Sequence, residues 1–125
     1  MEREVVKNIN KLNINIRNNL RLLGFKSCNK STKILAKTIF YIKTNRLELT
    51  GFNANDVYKA ISKLYTNTTP KQIKDNINYA LTYRNINKSK TNFYQVFKFD
   101  YTEEIFTNKN FLEEFSNIIE IESKN

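Results

Sequence analysis

Glycine occurs twice and proline once in this chain of 125 residues. Sandwiches and barrels turn about every 8–12 residues, and Gly and Pro make tight turns at the least conformational cost. A chain this poor in both is directed towards helices joined by polar loops. The expected fold class is therefore all-α. Hydrophobic residues make up 40% of the chain, enough at this length to bury a core without disulfides or metals. No repeat, linker or low-complexity tail interrupts it, so residues 1–125 read as one domain.

Histidine is absent and cysteine occurs once. Zinc sites need several Cys or His ligands, and Ser-His-Asp and Cys-His catalysis need an imidazole. Neither is expected, nor is a cofactor. A single Cys excludes an internal disulfide, and Cys28, in a Ser/Asn/Lys loop with no His to activate it, reads as a plain thiol. The acidic pairs Glu103-Glu104, Glu113-Glu114 and Glu120/Glu122 read as solvated faces, not acid/base machinery. No run of apolar residues reaches membrane-span length, and the charged start MEREVVKN lacks a secretory apolar region. A cytoplasmic protein with no enzymatic activity is expected.

The net charge is +9, unevenly spread. Residues 1–90 hold 18 Lys/Arg and 5 Asp/Glu, whereas residues 91–125 hold 3 and 7. A basic body with an acidic end points to a polyanionic partner on one side. Part of this excess has a plainer origin. Asn (20), Lys (16) and Ile (14) dominate, the bias of an AT-rich coding sequence.

Apolar periodicity outlines the helices. Val5, Ile9, Leu12, Ile16, Leu20 and Leu23 make one face of a helix over 4–23, with Gly24 at its C-cap and a break expected near Asn13–Asn15. A second helix, about 32–45, is capped by Ser31 or Thr32. It buries Ile34, Leu35, Thr38, Ile39 and Ile42 and turns Lys33, Lys37 and Lys43 outward. Leu47-Glu48-Leu49 alternates but is too short to define a strand. Asn53 caps a third helix, with Asp56 in its first turn and Val57, Ile61, Leu64 and Tyr65 inward. Thr69-Pro70-Lys71-Gln72 is the sharpest start signal: a cap, Pro at the first helical position and a capping box. That helix reaches about Arg84 and buries Ile73, Ile77, Ala80 and Leu81. Residues 92–98 form a short helix with Phe93, Val96 and Phe97 inward, although 97–101 suit an extended segment equally. Thr107 starts a last helix with Phe111, Leu112, Phe115, Ile118 and Ile119 inward and Glu113 and Glu114 in water.

Helices over 54–66 and 70–84, joined by a turn of about four residues, have the pattern of a helix-turn-helix. The second has a thin apolar stripe and a long polar face. Lys71, Gln72, Lys74, Asp75 and Asn78 are its candidate base readers, since Lys donates to guanine and Gln or Asn brackets adenine. Thr68 and Thr69, with the helix-start amides, suit a phosphate, and Lys59, Lys63, Arg84 and Lys88 suit the flanking backbone. Tyr79 and Tyr83 read as half-buried packing, with DNA contact as the rarer role. A helical hairpin with a polar turn, common in proteins that read no DNA, carries much of the same pattern.

Residues 65–85, YTNTTPKQIKDNINYALTYRN, resemble the helix-turn-helix of the effector domain of stage zero sporulation protein A, from the sporulation response regulators of spore-forming Firmicutes. The resemblance rests on Asn67-Thr68-Thr69, the Ile73/Ile77/Ala80/Leu81 stripe and Arg84-Asn85. It extends through Leu23-Gly24-Phe25, the second helix, Leu47-Glu48-Leu49-Thr50-Gly51, and Thr107-Asn108 with Phe111, covering about 14–122. It implies a compact domain of about six helices that reads double-stranded DNA, often AT-rich, through its fourth helix, in tandem copies or as a homodimer. The family also contacts RNA polymerase through its sigma subunit, by a stretch corresponding to Ile86–Phe97. That stretch matches poorly, and the sigma contact is not carried over. The family's receiver domain has no counterpart in these residues, so phosphorylation control within the chain is not expected. Where the family has an acidic then a basic residue, this chain has Lys74 then Asp75, which should change the preferred bases.

The leading expectation is a transcriptional regulator, chromosomal or serving a plasmid or phage. The rival is a protein-interaction module, an antagonist of a sporulation regulator or polymerase, docking through Phe111, Phe115 and Ile119 of the acidic last helix.

Overall fold

A computed structural model describes residues 2–120, with side chains from Lys7 onward. The side chains of Val5 and Glu122 lie outside the described residues. Within them the chain folds into six α-helices and no strand: α1 (Glu2–Leu22), α2 (Lys30–Thr44), α3 (Ala54–Ser62), α4 (Pro70–Tyr83), α5 (Ile86–Phe97) and α6 (Asn108–Ile118). Short 3₁₀ turns occupy Leu47–Leu49 and Glu103–Ile105. No helix among the described residues is long and apolar enough to cross a membrane.

The apolar stripes converge on one core. Leu12, Ile16, Leu20 and Leu23 from α1 and its end meet Ile34, Leu35, Ile39 and Ile42 from α2, Ile73, Ile77 and Leu81 from α4, and Phe111, Leu112 and Phe115 from α6. α4 packs against α2, α3 and α6. It is thus held along one edge while its other face meets solvent.

α1 runs unbroken past Asn13–Asn15 and ends at Gly24 in a Schellman motif. Phe25 N–H donates to the Leu20 carbonyl and Gly24 N–H to that of Arg21, both at 3.0 Å. The carbonyls beyond are satisfied from the α5 segment. Asn92 Nδ2 donates to Leu22 at 2.8 Å, the Ser89 hydroxyl to Leu23, and Asn85 N–H to Gly24 at 2.9 Å.

Several expectations are corrected. α2 starts after Asn29, so Ser31 and Thr32 lie buried in its first turn instead of capping it. Lys43 is buried, not outward, because Arg46 in the left-handed region turns the chain back and brings Glu48 onto its ammonium. α3 stops at Ser62, which leaves Leu64 exposed and makes the α3–α4 connection seven residues, Lys63–Thr69, not four. α5 starts at Ile86, behind the N-cap Asn85 whose side chain accepts from Lys88 N–H, and not near residue 92. It runs through Phe97 and ends at Lys98 with φ +67°. Glu113 and Glu114 are half-buried.

Candidate nucleic-acid interface

α4 begins as its sequence dictates. Pro70 holds the first position, Thr69 Oγ1 accepts from Gln72 N–H at 3.2 Å, and Gln72 Oε1 accepts from Thr69 N–H at 2.9 Å. Ile73, Ile77, Ala80 and Leu81 face the core. At 100° per residue the opposite face is centred on Asp75, flanked by Lys71, Asn78, Tyr79 and Thr82, all exposed. Lys74 sits nearer the edge. Its backbone carbonyl accepts from Asn108 Nδ2 of α6 at 3.0 Å, which fastens α6 to α4 on the far side from Gln72.

The candidate base readers fare differently. Lys74 and Asn78 are exposed. Lys71 Nζ pairs with Asp75 Oδ2 at 2.8 Å, one turn apart and in solvent, an arrangement worth only a few tenths of a kcal/mol and open to exchange for a ligand. Gln72 has its carbonyl oxygen committed to the capping box. Bracketing adenine needs both the amide oxygen and nitrogen, so only Nε2 remains for a base edge unless the box opens.

The phosphate set changes more. Lys59, Lys63 and Lys88 are exposed cations. The capping box takes up most of the start of α4: Thr69 and Gln72 amides pair within it, Pro70 has no N–H, and the Thr68 hydroxyl donates to the Thr66 carbonyl at 3.1 Å, which leaves the Lys71 amide as the open donor of the first turn. Arg84 is 6% exposed and cannot reach a phosphate. Nε donates to Ser89 Oγ at 2.8 Å, Nη1 to the Leu81 carbonyl at 2.7 Å, and Nη2 to Glu103 at 3.0 Å, while the guanidinium lies 3.5 Å from the Phe106 ring centroid. Four groups, from α4, α5 and the Glu103–Phe106 segment, turn it inward.

Glu103 belongs to that network. Partial burial pushes its carboxyl pKa up, but the hydrogen bond from Tyr101 and the Arg84 guanidinium outweigh burial and hold it below the ordinary value. A carboxyl depressed on folding adds stability that is full above its unfolded pKa, about 4.3, and is lost as pH falls through the folded value. The melting-temperature gap between wild type and Glu103→Gln is therefore expected to be full above about pH 5 and to close at more acid pH. Thermal melts across that window check it. A gap independent of pH would leave the carboxylate charge without a role.

Tyr79 and Tyr83 depart from the expected packing. They are 52% and 66% exposed, with their rings in contact at 4.5 Å between centroids and tilted 38° to each other. Tyr79 lies four residues beyond Asp75 and eight beyond Lys71, and this spacing alone puts it on the outward face of α4. The docking face of the rival reading is absent, since Phe111, Phe115 and Ile119 are 2% exposed or less and belong to the core. Cys28 is exposed.

No family model matches the chain, and no curated protein or solved structure matches it.

Proposed function

We propose that this protein is a sequence-specific regulator that lays α4 in the major groove of double-stranded DNA. The observation that carries this reading is the composition of one surface. On the outward face of α4, Lys71, Asp75, Asn78 and Tyr79 stand exposed on a helix whose other edge is locked into the core. These side chains donate to and accept from base edges, and a helix fixed by its packing presents them without a large ordering cost. The basic balance of residues 1–90 supplies the long-range attraction. The resemblance of residues 65–85 to the sporulation effector domain points the same way.

Lys71 and Asp75 suit the two halves of one G·C pair. A cation donates to guanine and a carboxylate accepts from cytosine. A single reading helix makes few base contacts, so two copies on adjacent half-sites fit the chemistry. The seven-residue connection is longer than the usual helix-turn-helix turn, and the reading does not depend on that motif's standard form.

Selection of bound sequences from a random duplex pool near physiological salt tests the proposal, with Lys74→Glu as control. One enriched motif is expected, and Lys74→Glu should weaken its binding by at least about 10-fold. Lys74 is exposed, so the variant should melt like the wild type. Recovery of no motif, with salt-sensitive binding equal in both proteins, would sink base reading by α4.

A further inference from the structure

The start of α4 has one open amide, that of Lys71, whereas the start of α2 has three. Asn29 is the N-cap of α2, yet its side chain makes no capping bond, and no acidic residue occupies the first turn. Lys33 is the first residue whose amide is paired, to the Asn29 carbonyl at 3.1 Å. The amides of Lys30, Ser31 and Thr32 have no protein partner among the described residues. Ser31 is only 5% exposed, and its hydroxyl makes no hydrogen bond. Its oxygen keeps some contact with solvent, so the hydroxyl is open to donate to a bound acceptor.

Ser31 is not simply buried. With Asn29, Lys30, Asn76 and Tyr79 it lines an open depression between the start of α2 and the middle of α4. The lining offers a hydroxyl, an ammonium, a phenol, the Asn29 amide and the one Asn76 N–H left over from its bond to the Gln72 carbonyl, and no carboxylate. Helix-start amides and the positive end of the α2 dipole add to this donor set. The complementary ligand is an anion rich in acceptor oxygens. Tyr79 joins the depression to the reading face of α4, so an anion seated here lies beside whatever α4 reads.

We propose that this depression holds one phosphate of the DNA strand flanking α4, and so fixes the register and depth of that helix in the groove. The inference rests on the reading of α4 as the groove-facing helix. Phosphate contacts of this kind position a protein without selecting sequence.

The test follows the amide resonances of Ser31 and Thr32 in the full chain on adding a short random-sequence duplex and, separately, inorganic phosphate. Binding of the duplex is compared among wild type, Ser31→Ala, Lys30→Glu and Lys37→Glu. Lys37 is exposed on the same helix about 10 Å further along, so it matches the charge change away from the depression. The duplex is expected to move both amides. Ser31→Ala should weaken binding about 5-fold, and Lys30→Glu should weaken it about 10-fold more than Lys37→Glu while flattening the salt dependence by roughly one phosphate. Duplex binding that remains sensitive to Lys74→Glu, with both amides unmoved and the two charge reversals equivalent, overturns this seat and leaves the α4 reading intact. Amides that move with inorganic phosphate in a protein that binds no duplex overturn both, and make the depression a site for a free anion.

Discussion

Gly24→Ala is expected to cost about 4 kcal/mol of stability, far more than the same change at the chain's other glycine. Two separate penalties combine. Gly24 has φ +97°, a conformation that costs an L-residue roughly 1–2 kcal/mol. A Cβ built there would stand 2.3 Å from the carbonyl oxygen of Asn85 and 3.1 Å from its Cβ. The clash is with backbone, so no side-chain rotation relieves it. Relief would require parting α1 from the α5 segment, and that junction carries the bonds from Asn85, Ser89 and Asn92 to the last α1 carbonyls. Gly51 is the internal control. It also has positive φ, +80°, but an added Cβ meets nothing within 4 Å. Gly51→Ala should therefore cost only about 1 kcal/mol. Urea denaturation of the two variants measures the difference. Equal losses would mean that the close approach of Gly24 to Asn85 does not exist in solution.

Arg84→Ala is expected to cost about 3 kcal/mol and to leave duplex binding nearly unchanged at temperatures where the variant is folded. The Glu103 pair contributes a minor share, since its side chain is largely exposed and solvent screens it. The larger losses lie inside. The Leu81 carbonyl loses its Arg84 donor, Ser89 loses the donor to its hydroxyl oxygen, and the Phe106 ring loses the guanidinium over its face. Arg84→Lys should be nearly as costly, because a lysine presents no planar fork to serve these partners together. Lys88→Ala provides the opposite profile: the cation is exposed, so stability should hold while duplex affinity falls. Melting and binding curves on both variants discriminate the roles. An Arg84→Ala protein that melts like the wild type but loses DNA would return Arg84 to the phosphate contacts.

The elements differ in how legible they were. The start of α4 could be read to the residue, because Thr69, Pro70 and Gln72 satisfy one another within four positions. The inward sets of α2, α4 and α6 were equally plain, since their periodicity is carried by apolar side chains. The first half of α5 was hidden for a physical reason. Its inward contacts are polar, with Ser89 and Asn92 meeting the carbonyls of Leu23 and Leu22, and a hydrophobic period does not register them. Tyr79 and Tyr83 misled in the opposite sense, as large aromatic side chains at helical spacing that nothing covers.

The sequence by itself determined the helical class, the sites where α3 and α4 begin, and most residues of the core, because these follow from chain composition, capping chemistry and the 3.6-residue period; Ile9 and Leu64, expected inward, are exposed, and Tyr58, Ile105 and Phe106 join the core unannounced. Only the tertiary structure decided the fates of the charges and open amides. Lys43 and Arg84 look like surface cations until Glu48 and the Tyr101–Phe106 segment close over them. The amides at the start of α2 become half of a depression only when Asn76 and Tyr79 of α4 are brought beside them. The cost of burying a charge and the value of an unpaired donor depend on partners far along the chain, and local sequence does not carry that information.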